Sequence, residues 1–475
     1  MKQKRLPLIF ATGLVLALSA VVVPTQKHNP YSSRDLNRAF QVGPRLTGLY
    51  GDDLGEESFG ALGGSPSNLF PSFPQLRPIE PGLYEITFPF TGTDWQETFL
   101  FGLPSGPLQP APLLTVFHGY GERPEDVLAN TDYVQLARSR GWYVLVPLAA
   151  HEYNFGIEYA QRNVELALNW VARAVPLDVR RLYAVGFSMG GALSMNYPAR
   201  HQDLYGGRFA AVINHTGVTS LQHSFATAID DRLFLSPLMF GATPEQAPFA
   251  YSSVTSMDLS FDTGQVNQNT DMLRNLVGTP VYSFAAFQDP VTTLLEQTDA
   301  FEVQFGNRGG ALTTNRGSNA IHDWTTLDEN AALNWLAQFE LQDPAAYTTH
   351  NLLADRSARW HAFYLAQTEP GRFTPFSYQF QPGQNRVYTI AQGNLSRISF
   401  YPSTLALRTS DPLEWVIANT EVEPIDMVLY GVNAMPIDVE RNGQSVVNWA
   451  YDPVLRQLTL KENDATSVPT WRIYF

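Results

Sequence analysis

Between residues 110 and 340 short apolar runs alternate with segments whose apolar residues recur every three or four positions. Residues 113–117, 143–148, 182–185, 210–213 and 281–287 are almost wholly apolar, the pattern of parallel strands covered on both faces. Residues 127–140 read as a helix closed by Gly141. Val164, Leu168, Val171 and Val175 share one helical face, and residues 327–339 read as a terminal helix. Upstream, residues 83–90 and 96–103 are β-rich runs around Gly92-Thr93-Asp94, a predicted antiparallel hairpin. The stretch from about residue 215 to 279 has no clear period and is long for a connection, so it reads as a functional insertion.

After about Asp343 the period becomes two. Residues 386–391, 395–401, 414–418, 427–430, 446–451, 457–460 and 471–475 are short strand candidates, and Asn442-Gly443 is a strong hairpin turn. The expected fold is therefore an α/β domain over residues 79–342, its sheet covered by helices on both faces, followed by an all-β sandwich over residues 345–475. Residues 23–78, rich in Pro, Gly and Ser, read as an extension before the α/β domain.

The first 22 residues carry an address. Lys2, Lys4 and Arg5 precede an uncharged, mostly apolar run over residues 6–23, and Ala17-Leu18-Ser19 has the small residues that a signal peptidase reads. The expectation is a cleaved signal peptide, with an uncleaved membrane anchor as the alternative. Both put the bulk of the chain outside the cytoplasm, secreted or periplasmic. The 475-residue chain has 45 acidic against 31 basic residues, a net charge of −14, which argues against nucleic acid as a partner. It has no cysteine, so disulfides, thiolate metal sites and a cysteine nucleophile are excluded.

Gly186-Phe187-Ser188-Met189-Gly190-Gly191 follows the apolar run 182–185 and precedes a helix rich in small residues. A serine on a sharp strand-to-helix turn needs small neighbours two positions to either side, and the turn leaves its hydroxyl open. Phe117-His118-Gly119-Tyr120-Gly121 ends an earlier buried strand, where a second backbone donor for a developing oxyanion is required. The Tyr120 and Met189 amides are the candidate oxyanion hole, and the His118 side chain reads as an organiser of the loop. A nucleophilic serine also needs a base, and the base an orienting acid. Asp289 lies just after the run 281–287, and His322 follows it in Ile321-His322-Asp323-Trp324. Asp323 and Asp299 are weaker candidates for the acid.

In this order the segments resemble an α/β-hydrolase, most of all the secreted esterases that include polyhydroxyalkanoate-depolymerase-like and feruloyl-esterase-like enzymes. Leu177-Asp178-Val179-Arg180-Arg181-Leu182-Tyr183, leading into the turn, is similar to theirs, and the resemblance covers about residues 80–342. It implies an exported serine esterase in which Ser188 attacks the ester carbonyl, His322 moves the proton and Asp289 orients His322. No metal or organic cofactor is implied, and the partner is an ester substrate, small or polymeric. Two rival readings stay open. One is a serine peptidase of the prolyl-oligopeptidase type with the same triad. The other is a non-catalytic surface- or carbohydrate-binding protein acting through residues 345–475, where Trp360, Tyr388, Tyr401 and Trp449 either stack on sugars or fill a core. In the insertion Phe234, Leu238, Met239, Phe240, Phe249 and Tyr251 are candidates either for an acyl pocket or for a small core of their own.

Overall fold

The computed structural model describes residues 74–89, 96–318, 321–419, 424–463 and 468–475. The N-terminal address, most of the extension and the turn at residues 92–94 lie outside them. No helix among the described residues is long and apolar enough to cross a membrane.

Among the described residues the α/β unit is built on β1 (Gln75–Glu80), β2 (Leu83–Pro89), β3 (Gln96–Gly102), β4 (Ala111–Phe117), β5 (Tyr143–Pro147), β6 (Leu177–Phe187), β7 (Ala211–His215), β8 (Val281–Ala286) and β9 (Leu312–Gly317). Their order in one sheet is β1-β2-β3-β5-β4-β6-β7-β8-β9. The first three strands are antiparallel, and β3 joins β5 antiparallel; from β5 to β9 every pairing is parallel.

The central strands β4 and β5 are buried at every position, and β6 from Leu182 onward, because both faces are covered. Leu113, Leu182 and Ala184 point into one buried cluster, Leu114, Tyr183 and Val185 into another. Along the chain β5 lies on one side of β4 and β6 on the other. The loops leaving β4 and β6 therefore diverge at the carboxyl ends of neighbouring strands, where an open α/β sheet forms its crevice.

The covering helices are α1 (Pro124–Asn130), α2 (Tyr133–Ser139), α3 (Glu158–Ala174), α4 (Gly190–Arg200), α5 (Leu221–Thr227), α6 (Ile229–Leu238), α7 (Pro248–Ser252), α8 (Leu273–Leu276), α9 (Thr292–Asn307) and α10 (Glu329–Leu336). Val164, Leu168, Val171 and Val175 are all buried, as their spacing predicts. Three features differ from the sequence reading. The single helix expected over 127–140 is two, because Thr131 turns extended and both its N–H and its hydroxyl donate to the Val127 carbonyl. The sheet begins at Gln75 rather than after the extension. It also gains β9, whose Leu-Thr-Thr-Asn-Arg-Gly sequence is polar because it is a partly exposed edge.

The C-terminal unit consists of a seven-stranded and a six-stranded sheet among the described residues. The sheets pack face to face, with Phe363 on Phe376 at 5.3 Å and Phe400 on Trp415 at 4.9 Å. Its first strands, β10 (His350–Ala354), β11 (Ala358–Trp360), β12 (Phe363–Gln367) and β13 (Thr374–Gln381), were not among the expected ones. Trp360, Trp415 and Trp471 are fully buried core residues.

The two units share one contiguous buried cluster. Arg200, at the end of α4, is 4% exposed and donates from Nε to Asp355 Oδ2 at 2.7 Å and from Nη1 to Gln161 Oε1 at 3.1 Å. Arg356 Nη2 donates to the Arg200 carbonyl at 3.1 Å. The Asn275 amide donates to the carbonyls of Ala199 and Leu353, and its oxygen accepts the Leu353 N–H. The C-terminal carbonyls of α4 are thus capped from α8 and from the second unit.

Candidate active site

Ser188 sits between β6 and α4 with φ +53°, a left-handed conformation that costs a residue with a side chain about 1–3 kcal/mol. Backbone bonds hold it there. The Ser188 N–H donates to the His215 carbonyl at 3.1 Å, and the Ser188 carbonyl accepts from Gly191 and Val218 at 3.0 Å each. The glycines are required by crowding. A Cβ on Gly186 would strike the Gly190 carbonyl, and one on Gly190 the carbonyls of Phe117 and His118.

Phe117 pairs with Gly186 across β4 and β6, which brings the loop after β4 alongside Ser188. In that loop the Gly119 N–H donates to Glu122 Oε2 at 2.7 Å and the Gly121 N–H to the Glu152 carbonyl at 3.0 Å. Between them the Tyr120 N–H has no protein acceptor among the described residues. His118 is buried, its ring nitrogens 2.9 Å from the Gly119 carbonyl and 3.0 Å from the Leu148 carbonyl. It holds the Gly119–Tyr120 peptide unit by its oxygen. In a trans peptide that turns the Tyr120 N–H the opposite way. Met189, the residue after Ser188, is buried in a cluster with Phe155, Leu235 and Met239.

Asp289, 2% exposed, follows the end of β8, and its Oδ2 lies 2.7 Å from His322 Nδ1. Its other oxygen accepts the Val291 N–H at 2.8 Å. The His322 ring stacks on Phe187 at 4.7 Å, and its Nε2 is buried without a hydrogen-bond partner. The structure thus joins His322 to Asp289 and lays His322 on the residue before Ser188. The other acids are engaged elsewhere. Asp323 Oδ1 accepts the Thr325 N–H and hydroxyl, which pull its carboxyl below the usual range, and Asp299 pairs with Arg316 on the surface.

Three groups near His322 escaped the sequence reading as site residues. Glu122 receives the Trp324 indole N–H at 3.1 Å as well as the Gly119 N–H. Trp324 itself leans on Phe187 at 4.7 Å. His215 is fully buried at the end of β7, against Phe187 and Trp324, with Nε2 2.8 Å from the Thr326 hydroxyl. Burial first, then the neighbouring His322, pushes the His215 pKa down to about 3, so it stays neutral. The Glu122 signal, an acidic residue three positions after a loop glycine, is too common to single out in a sequence.

The insertion residues divide. Phe234, on α6, stacks on Tyr153 at 4.1 Å and meets Tyr120 edge-on at 5.3 Å, beside the candidate oxyanion loop. Tyr251 and Met239 are core, Phe249 packs on Phe373 of the second unit, and Phe240 is 95% exposed. No group of three or more His, Asp or Glu among the described residues is placed to hold a metal ion.

A protein-family model described as the alpha/beta hydrolase fold matches residues 118–413. Among solved structures the chain is similar to an acetyl xylan esterase from Paenibacillus sp. R4, at 14% identity and a TM-score of 0.41, over 65% of this chain and 100% of that one. It is similar to fungal esterases from Rhizomucor miehei at 16% identity and a TM-score of 0.41, over 66% and 98% of the two chains. It is also similar to the acylaminoacyl peptidase of Pyrococcus horikoshii, at 14% identity and a TM-score of 0.41, over 58% of this chain. There it spans only 43% of the peptidase's length. No curated protein matches the sequence.

Proposed function

The chain belongs to the alpha/beta hydrolase fold family, and from that premise we propose that it is an exported serine hydrolase of carboxylic esters. Ser188 Oγ attacks the ester carbonyl carbon as His322 Nε2 takes its proton. Asp289 accepts from Nδ1–H, which keeps Nε2 free to act as the base and stabilises the imidazolium that forms. The Tyr120 and Met189 amides donate to the oxyanion of the tetrahedral intermediate. The alcohol departs with the proton from His322. A water molecule, deprotonated by the same nitrogen, then attacks the acyl-enzyme and releases Ser188.

One observation carries this reading: the 2.7 Å contact from Asp289 to His322 Nδ1, in a ring whose other nitrogen has no protein partner and which rests on the neighbour of a strained serine. Within the family we assign the chain to the secreted esterases that resemble polyhydroxyalkanoate-depolymerase-like and feruloyl-esterase-like enzymes. The charged, then apolar first 22 residues support export.

The test is a panel of short and long p-nitrophenyl esters, feruloyl esters, a polyester film and a Pro-linked peptide, run on the parent and on Ser188→Ala. Ester turnover lost by orders of magnitude in a folded Ser188→Ala variant is the expected result. A tenth of the parent kcat remaining would sink the nucleophile assignment. Cleavage of the peptide alone would favour the peptidase reading. N-terminal sequencing of protein recovered outside the cytoplasm tests export.

A further inference from the structure

The proposed chemistry needs two loops at a fixed spacing, one carrying Tyr120 and the other His322. They leave the sheet from β4 and β9, which β6, β7 and β8 separate, so no strand pairing sets one against the other. A side chain does. Glu122 Oε2 accepts the Gly119 N–H at 2.7 Å and the Trp324 indole N–H at 3.1 Å, and Oε1 lies 3.2 Å from the same indole nitrogen.

Gly119 directly precedes Tyr120, and Trp324 stands two residues after His322. The far end of the link is clamped too, since Phe187 meets the Trp324 and His322 rings at 4.7 Å each. The near end is packed to the limit: a Cβ on Gly119 would lie 3.1 Å from both the Glu122 carboxylate and the Phe187 ring. Among the described residues Glu122 forms no salt bridge, so its carboxylate serves these two N–H groups.

We infer that Glu122 is a positioning residue that ties the oxyanion loop to the histidine loop, an inference that rests on the acyl-enzyme chemistry proposed above. Substrate binding needs neither loop at an exact spacing, whereas the transition state needs both at once. Losing the tie therefore lowers kcat and leaves KM nearly unchanged.

The experiment uses the full chain and a p-nitrophenyl ester. Glu122→Ala should lower kcat about 10- to 100-fold, with KM within about threefold of the parent. Glu122→Gln should return kcat to within about threefold of the parent, because one amide oxygen can accept both N–H groups as Oε2 does. Trp324→Phe keeps the ring on Phe187 and removes only the N–H. It should reproduce part of the loss, and Glu122→Ala/Trp324→Phe should be no worse than Glu122→Ala alone.

A Glu122→Ala kcat within about twofold of the parent overturns the inference, as does a Gln variant no better than Ala, or losses that simply add. If Glu122→Ala does not fold, Trp324→Phe decides, and the parent kcat there overturns it. Ser188→Ala, run in parallel, keeps the two ideas apart. Turnover abolished there with a silent Glu122→Ala rejects the tie alone, and turnover retained there rejects both.

Discussion

Asp355→Ala should destabilise the α/β unit and the sandwich together. The carboxylate accepts Arg200 Nε at 2.7 Å and Arg356 Nη1 at 3.1 Å, and both Arg200 and Asp355 are more than nine-tenths buried. Burial already pulls the Arg200 guanidinium below its usual pKa, and the Asp355 charge is the chief opposing influence. Without Asp355 the hydrogen-bond acceptor left to the buried cation among the described residues is the neutral Gln161 oxygen at 3.1 Å. Removing one partner of such a pair costs about 3–5 kcal/mol, a large part of the stability of an ordinary domain. The assay is equilibrium unfolding in urea, followed by tryptophan fluorescence and by ester turnover. Both probes should move to a lower midpoint by the same amount. Replacing the whole pair with apolar residues, Arg200→Met with Asp355→Leu, should recover most of the loss, because the penalty belongs to the orphaned charge. A loss under about 1 kcal/mol, or a turnover midpoint that stays put while fluorescence shifts, would refute the claim that the seam is one cooperative unit.

Further outcomes follow from the same geometry. Asp289→Asn should cost up to about 10⁴ in kcat by favouring the wrong His322 tautomer, whereas Asp323→Asn should cost less than tenfold; the reverse order would reassign the acid. His215 has a folded pKa near 3 against 6.5 when unfolded, so its contribution is complete above pH 6.5 and is lost as pH falls from 6.5 towards 3. Unfolding at pH 7 and pH 4.5 should show a steeper acid loss in the parent than in His215→Gln, and equal slopes would discount the shift. Phe234→Ala removes the ring that stacks on Tyr153, and it should raise KM for bulky esters more than for acetate. Equal changes for both would place Phe234 outside the substrate's path.

What the sequence made legible follows from how many faces of each element are buried. β4, β5 and the second half of β6 are covered on both sides, and their nearly unbroken apolar runs are visible by eye. β9 escapes because an edge strand with a half-exposed face loses that signature. β13 alternates buried and half-buried residues along Thr374–Gln381, yet Pro375 near its start argues against a strand. The residues of the candidate site were legible where backbone crowding dictates glycine, at Gly186 and Gly190, and where chain order ranks acid and base. Glu122 meets Trp324, and His215 meets Thr326, across long stretches of sequence, and no local pattern marks such contacts.

The seam also changes how the second unit is to be understood. The sequence suggests an α/β domain ending at residue 342 with an all-β sandwich behind it. Helix α4, however, starts two residues after Ser188 and ends at Arg200, where Arg356 caps its last carbonyl and Asp355 holds its last side chain. A chain ending near Gln342 would leave Arg200 without its carboxylate and expose the apolar surface that the shared core covers, at roughly 25 cal/mol for each Å². A sandwich that only tethered the enzyme to a substrate surface would leave soluble-ester turnover and melting temperature unchanged when removed. A sandwich that completes the core predicts instead that the truncated chain loses its cooperative transition, and turnover with it. The helix running from the proposed nucleophile into the seam makes the two losses inseparable.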